Sequence, residues 1–580
     1  VKGPLLGIVD GISDAGAALF VDGRLVAAVN EERLTREKLE GGFPARSIEE
    51  VLRLGGCAAG DVVTVAVGGI LTPSAATRLF RGLQRRLAPT AGIVFVPPAP
   101  PLVRLADLAR YRLRLTTNRP GSPLGKAESL LARRALRRDL GRAFARAELA
   151  LVDHHEAHAR TAFHASPFGR ALVVTADSLG DGCSLTVSRG EGGRLERLHA
   201  EGPFVSFGTF YALVTRWLGF LPYRHEGKVA ALAAAGDAAR VGVPFPLRLE
   251  RGRLVYDGAW GLRAWRWLAR LEGCAREDVA AWLQRGTERG LVDVVSRFVA
   301  ATGTRDLCLA GGLFANVALN RVLLEEAGVD RLFVYPHMGD GGLAVGAGLA
   351  VLRPEGWALP PLFLGPAVDD ARCRAALAGV PCERPEDPEA EVARLLARGL
   401  VVGRCVGRME YGPRALGHRS VLAEARDPRV RDVLNRRLGR TEFMPFAPVT
   451  LERGAAERLD GLARARDCAR HMTLAFRALP ALVAEAPGAI HLDGTARCQV
   501  ATPAEHPGLH RILEEYARRT GRATLVNTSF NRHEEPIVCT AEEAVATFRR
   551  GGLDALQLGP YLALSPALDR RLAAPAGRTA

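Results

Sequence analysis

Apolar residues fall in short runs at the start of the chain, over 5–10, 17–21 and 25–30, with Asp22-Gly23 separating the last two. Such runs bounded by turn residues predict strands, and Asp-Gly between two of them predicts a tight hairpin. The pattern returns at 171–175 and 184–188, on either side of Asp177-Ser178-Leu179-Gly180-Asp181-Gly182. Two strand–turn–strand units, each opening on an acidic, glycine-bearing turn, predict a duplicated domain with a ligand cleft between its halves. From 294 to 352 the pattern alternates: helix, strand (307–310), Gly311-Gly312, helix, strand (331–335), glycine loop, helix. That order predicts α/β layers. Arg353-Pro354-Glu355-Gly356-Trp357-Ala358-Leu359-Pro360-Pro361 is the linker candidate. Beyond it, a helix over 389–397 and strands over 401–406 and 523–526 predict a second α/β domain. The expected division is therefore 1–352, a linker at 353–361, and 362–580.

Composition narrows the class. Of 580 residues, 48% are hydrophobic and 24% charged, the proportions of a globular protein too long for one core. Lys+Arg exceed Asp+Glu by 78 to 63, a net +15. Most of that charge is scattered, which favours small phosphorylated substrates over a nucleic-acid partner. The exception is 104–146, where Arg133, Arg134, Arg137 and Arg138 share one helical run. A solvated helical face is expected there in preference to a docking surface for an acidic partner or headgroup layer. The ten cysteines form no CxxC pair, which argues against structural zinc and a disulfide framework. No signal-peptide core and no apolar run of spanning length occur, so a reduced, cytoplasmic enzyme is expected.

Three kinds of chemistry stand out. After an apolar strand at 148–152 comes Asp153-His154-His155-Glu156-Ala157-His158. With Asp153 as N-cap, His154 and His158 lie four apart on one helical face. Spacing alone leaves open whether such a pair packs, caps or ligates. With Asp340, from His337-Met338-Gly339-Asp340-Gly341-Gly342, as third ligand, the set suits iron(II) and tolerates zinc. A second kind is acidic or glycine-bearing turns suited to phosphate or nucleotide: Asp177, Gly180 and Asp181; Glu226 and Lys228 before an alanine-rich helix; Gly311 and Gly312 with Asn316 beyond. The third is a run of arginines among glycines, Gly407-Arg408-Met409-Glu410-Tyr411-Gly412-Pro413-Arg414-Ala415-Leu416-Gly417-His418-Arg419-Ser420. Guanidinium forks in such turns match phosphate or carboxylate oxygens. Arg414, Arg419 and Arg440 are the anion-binding candidates, with Arg497 as a fourth. Asn527, Ser529 and Asn531, after the 523–526 strand, offer small polar groups for phosphate oxygens or a carbamoyl-sized group. Met444-Pro445-Phe446-Ala447-Pro448 is expected to form a rigid wall.

Taken in order along the chain, these stretches resemble the O-carbamoyltransferase family that decorates antibiotics and nodulation factors. The resemblance also covers Glu31-Glu32-Arg33-Leu34-Thr35-Arg36 and runs nearly end to end. It implies an α/β protein: an N-terminal domain (1–352) of the sugar-kinase/Hsp70/actin fold, similar to threonylcarbamoyl-transfer proteins, and a C-terminal YrdC-like domain (362–580). It implies ATP with magnesium and carbamoyl phosphate as substrates, carbamoyl-adenylate as intermediate, and a small-molecule hydroxyl as acceptor. A homodimer is compatible with it. His154, His158 and Asp340 match the family's iron ligands. Ser529 and Asn531 match a small polar pair lined by Arg414, Arg419 and Arg440. Two positions depart from the family pattern. Ser13-Asp14 stands where relatives usually carry His-Asp, which makes Asp14 the candidate base, and Leu438 stands where lysine is frequent. Rival readings are a small-molecule kinase of the same N-terminal fold, a tRNA threonylcarbamoyl transferase, and a non-catalytic basic binding module.

Overall fold

Asp22 and Gly23 both take left-handed backbone, φ 50° and 75°, the pair of conformations a two-residue hairpin with native twist requires. They join β2 (Gly16–Val21) to β3 (Arg24–Asn30), and β1 (Leu5–Val9) pairs antiparallel with β2. In the computed structural model, which describes residues 3–81, 121–259, 262–440, 445–566 and 568, β4 (Thr64–Gly68) and β5 (Glu148–Val152) complete this sheet in parallel, in the order β3-β2-β1-β4-β5.

A second sheet repeats the plan. An antiparallel meander of β6 (Arg170–Gly180), β7 (Cys183–Glu191) and β8 (Arg194–Glu201) continues, past the separate hairpin β9 (Leu247–Glu250) and β10 (Arg253–Tyr256), into parallel β11 (Asp306–Ala310) and β12 (Arg331–Val334). Its order, β8-β7-β6-β11-β12, and its strand senses match the first sheet position by position. The duplication expected from the two hairpins is thus present. The second hairpin differs in detail: β6 runs on through Asp177 and Ser178, with a register shift between Ala176 and Gly180, and only Asp181-Gly182 form the turn.

Small residues set the packing around the histidine helix. Helix Leu343–Leu352 lies against β1 and against helix His154–His164. A Cβ on Gly7 would stand 2.0 Å from the Ala344 carbonyl oxygen, and one on Gly346 would stand 2.2 Å from that of Ala157. Only glycine permits so close an approach of backbone to backbone.

The chain divides into two compact units, residues 1–35 with 39–360, and residues 36–38 with 361–580. The second unit carries a mixed sheet of eight described strands: β13 (Cys382–Glu383), β14 (Val402–Cys405), β15 (Arg419–Glu424), β16 (Ala447–Leu451), β19 (Gln499–Ala501), β20 (Thr524–Ser529), β21 (Ala555–Leu558) and β22 (Tyr561–Leu564). Their order is β13-β22-β21-β14-β15-β20-β16-β19, with β17 (Phe476–Arg477) and β18 (Thr495–Ala496) paired apart. Helices Pro388–Ala397 and Pro507–Thr520 bury Val392, Leu396, Leu509, Ile512 and Tyr516 with Val402, Leu422 and Leu525 of the sheet.

The basic helical run is a solvated face, with Arg133, Arg134, Arg137 and Arg138 all exposed, and three of them also tie down backbone. Arg133, Arg137 and Arg138 donate to the carbonyls of Leu149, Ala147 and Arg78 at 2.8, 2.8 and 3.1 Å. Residues 104–120 of the basic segment and Met444 lie outside the described residues. Among the described residues no helix is long and apolar enough to cross a membrane.

Candidate metal centre and arginine site

Helix His154–His164 starts where its sequence says it should. Asp153 caps it, its Oδ1 accepting the Glu156 N–H at 2.9 Å. His154 and His158 then turn one above the other, ring centroids 4.8 Å apart. Both are 1% exposed. His155, between them, points the other way and is spent on Thr175 Oγ1 and the Cys183 carbonyl at 2.7 and 3.1 Å.

The Nε2 atoms of His154 and His158 face two carboxylates, not one. Asp340 Oδ1 lies 3.6 Å from each, and Asp177 Oδ2 lies 3.7 Å from His154 and 3.3 Å from His158. All four ligand atoms fall within 4.8 Å of one another. Neither Nε2 has a hydrogen-bond partner. Metal–ligand bonds of about 2.1 Å imply donor–donor separations of roughly 3.0–3.4 Å, so the residues fit a divalent cation with little adjustment. The opposed charges tell the same story. Burial disfavours charge on His154, yet Asp340 and then Asp177 outweigh it and raise the imidazole to about 9. Asp177, despite its own burial, is held well below the usual carboxylate range by His154 and His158.

Asp177 is therefore placed as a ligand candidate, where the sequence suggested a phosphate turn. Its carboxylate is fixed by the N–H groups of Ser178 at 2.8 Å and Gly312 at 3.2 Å. Asp181 and Gly180 are engaged within the protein. Asp181 is 2% exposed and accepts from Ile70, Leu71 and His154 N–H groups at 2.8, 2.7 and 2.9 Å. It anchors the first turn of the histidine helix. Gly180 faces the His154 ring; a Cβ there would lie 2.1 Å from Cδ2.

Asp14 sits in the β1–β2 loop at φ 55°. Desolvation first, then Glu32 and Asp340, push its carboxyl up to about 8. Asn30, not anticipated from sequence, links this loop to the Asp340 loop: its Nδ2 donates to the Asp14 carbonyl at 3.3 Å and its Oδ1 meets His337 Nε2 at 2.8 Å. Glu226 accepts the Tyr223 N–H at 2.5 Å, and burial raises it to about 7. Lys228 is half-buried on the helix that follows. Gly311, at φ 111°, lets the chain pass β6, where a Cβ would stand 2.2 Å from the Ala176 carbonyl oxygen. Asn316 is corrected to a structural role: it caps helix Val317–Glu326 by accepting the Leu319 N–H at 3.1 Å, and its side-chain amide exchanges hydrogen bonds with that of Gln284.

In the second unit the arginines separate. Arg419, expected to line an anion site, is fully buried and donates to the carbonyls of Cys539, Val406, His418, Pro366 and Gly407. These bonds make it a tie-rod for the loop. Arg440 does meet the expected pair, donating to Ser529 Oγ at 3.3 Å, Asn531 Oδ1 at 2.8 Å and Thr528 Oγ1 at 2.9 Å. Ser529 Oγ donates to Asn531 Oδ1 at 2.5 Å. Asn527 faces inward, its Nδ2 donating to the Ala415 carbonyl and Gln499 Oε1. Arg414 is different: its Nε is buried without a partner, and burial with Arg497 nearby lowers its guanidinium well below the usual range. Since a guanidinium does not deprotonate in proteins, that direction marks a cation short of counter-charge.

Glu410 was missed in the sequence and shapes this loop. One oxygen, Oε1, accepts the N–H groups of Leu416, His418 and Arg419 at 2.8, 2.8 and 3.1 Å. Its position inside the arginine-glycine run was the available signal, because a lone buried carboxylate in such a run needs several donors.

Comparison with known proteins follows the same division. The family model described as "Carbamoyltransferase N-terminus" matches residues 104–243 and 263–349, and "Carbamoyltransferase C-terminus" matches 393–564. The chain is 31% identical to "Nodulation protein NolNO" of Sinorhizobium fredii over 97% of this chain and 80% of that protein. It is 34% identical to "Nodulation protein NolO" of Bradyrhizobium diazoefficiens over 71% and 78%. Among solved structures, full-length HypF in its phosphate- and nucleotide-bound form aligns at TM-score 0.37 and 14% identity, over 62% of this chain and 48% of that one.

Proposed function

The chain belongs to the carbamoyltransferase family, and from that premise we propose that its two sites divide one reaction, carbamoyl activation at the arginine site and O-transfer at the His-Asp cluster. The reading takes the duplicated N-terminal sheets as a domain of the sugar-kinase/Hsp70/actin type and the C-terminal unit as YrdC-like. The observation that carries it is the cluster of His154, His158, Asp177 and Asp340 with its unpartnered buried nitrogens.

At the arginine site, carbamoyl phosphate, ATP and one water give carbamoyl-AMP, phosphate and pyrophosphate. Arg414 and Arg497 supply positive charge where phosphate and pyrophosphate depart, and preorganised charge of this kind is usually the largest catalytic term. Arg440 orders Ser529 and Asn531 to hold the carbamoyl-sized group. Glu410 sets the loop that carries Arg414.

At the second site, His154, His158, Asp177 and Asp340 hold a divalent metal, iron(II) on the family resemblance. The metal supplies Lewis acidity toward carbonyl or phosphate oxygens, with no redox role. Asp14 takes the proton of the acceptor hydroxyl as its oxygen bonds to the carbamoyl carbon and AMP leaves. Gly311, Gly312, Glu226 and Lys228 border the nucleotide end of the intermediate. The acceptor is a hydroxyl of a sugar or other small natural product.

The test is incubation of the purified protein with ATP and carbamoyl phosphate, without acceptor. Release of pyrophosphate that depends on carbamoyl phosphate, with carbamoyl-AMP seen by mass, is expected. Absence of both products would reject the activation step.

A further inference from the structure

The arginines around the end of β20 are of two kinds. Arg419 and Arg440 have their donors turned onto protein oxygens. Arg414 and Arg532 do not. Arg532 directly follows Asn531, whose Nδ2 donates to the carbonyls of Arg532 and Glu535 at 2.8 Å each and so closes a tight turn. The stem of Arg532 is half-buried, and its guanidinium lies over Gly439: a Cβ built there would stand 3.5 Å from Nη2. Gly439 ends helix Val430–Leu438 in left-handed backbone, φ 62°, and leaves room for that group.

The carboxylates of the same turn are engaged elsewhere. Glu535 pairs with Arg550 at 3.0 Å, and Glu534 lies 3.7 Å from His533. Among the described residues none accepts a hydrogen bond from the Arg532 side chain or forms an ion pair with it. Meanwhile Arg440, next to Gly439, donates to both oxygens of Asn531, the residue before Arg532. Two guanidinium groups therefore attach to one turn with no counter-charge assigned to the second. Leu438, 2% exposed, belongs to the core and contributes none. Like charges on one turn repel, and an anion that joins them relieves that repulsion.

We propose that Arg532 is a phosphate-binding residue of the C-terminal site, the free cation that meets phosphate oxygens while Arg440 holds the turn in shape. This rests on reading that unit as the phosphate-handling site. Phosphate oxygens come from two sources, carbamoyl phosphate and the polyphosphate of ATP, and the kinetics separate them.

Steady-state pyrophosphate release is to be measured for wild type, Arg532→Ala and Arg532→Lys. Arg429→Ala, which removes an exposed arginine paired with Asp427, is the control for net charge. Arg532→Ala is expected to raise KM for one substrate about tenfold or more, as loss of a charge-assisted phosphate contact does, with kcat within threefold. The substrate whose KM moves identifies the source. Arg532→Lys should recover part of the loss, and melting temperatures should agree within the series because the side chain holds no protein group. Unchanged KM for both substrates, or the same change in Arg429→Ala, overturns the proposal. If wild type itself releases no pyrophosphate, the activation reading fails separately. Arg532 is then judged by calorimetric binding of inorganic pyrophosphate: weaker binding to Arg532→Ala supports the site, and equal binding removes it.

Discussion

In the N-terminal unit, two buried imidazoles present Nε2 atoms that no protein group satisfies, facing two carboxylates of which Asp177 is fixed by backbone N–H groups. In the C-terminal unit, Arg419 and Arg440 are saturated by oxygens of the protein itself, whereas Arg414 keeps a buried Nε without a partner. The difference lies in where the missing counter-charge comes from. A histidine–carboxylate cluster is completed by one ion that stays. On the proposed reaction, an arginine site releases phosphate and pyrophosphate each turnover, so its scaffold has to be stable without them. Spending most of the guanidinium groups on loop geometry achieves that, and leaves few to touch what comes and goes.

The contrast breaks most sharply at the imidazoles. His158→Ala should abolish stoichiometric divalent metal by elemental analysis and slow turnover of carbamoyl-AMP with a sugar acceptor by on the order of 1000-fold. Retained metal in this variant would move the centre elsewhere. Next in size, Arg414→Ala should reduce pyrophosphate release about 100- to 1000-fold, while metal content stays at the wild-type value. A loss of metal in that variant would erase the distinction between the two sites.

Smaller effects sharpen the comparison. Asp181→Asn turns one of the two oxygens that accept the Ile70, Leu71 and His154 N–H groups into a donor, so the first turn of the histidine helix shifts. Metal affinity, from a competition titration, should fall about 10- to 100-fold, as for other supporting residues. In the second unit, Glu410→Ala removes the shared acceptor of Leu416, His418 and Arg419. A loss of about 1–3 kcal/mol by chemical denaturation is expected, with metal content unaffected. Full stability in that variant would mean the loop is held by Arg419 alone.

Features carried by neighbours in sequence were legible; those carried by distant contacts were not. The Asp153 cap, the His154–His158 face, the Asp22-Gly23 hairpin and strand Glu148–Val152 rest on local chemistry and match the structure closely. Asp177 looked like part of a phosphate turn because its acidic, glycine-rich surroundings are the same either way. Only the register shift in β6 aims it at a helix that precedes it in the chain. Asp181 takes two of its three donors from residues 110 and 111 positions away, which no motif encodes. Arg419 and Arg440 illustrate a further limit. Residue type announces a cation, but whether it meets a substrate or a carbonyl is decided by the carbonyls that the fold brings within reach.

The most direct test is the amount of carbamoyl-AMP formed from ATP and carbamoyl phosphate by His154→Ala, measured by mass beside Arg414→Ala and wild type. Formation at or above the wild-type level in His154→Ala, with none in Arg414→Ala, is the expected result. Equal and complete loss in both variants would contradict the division of labour between the imidazoles and the guanidinium groups.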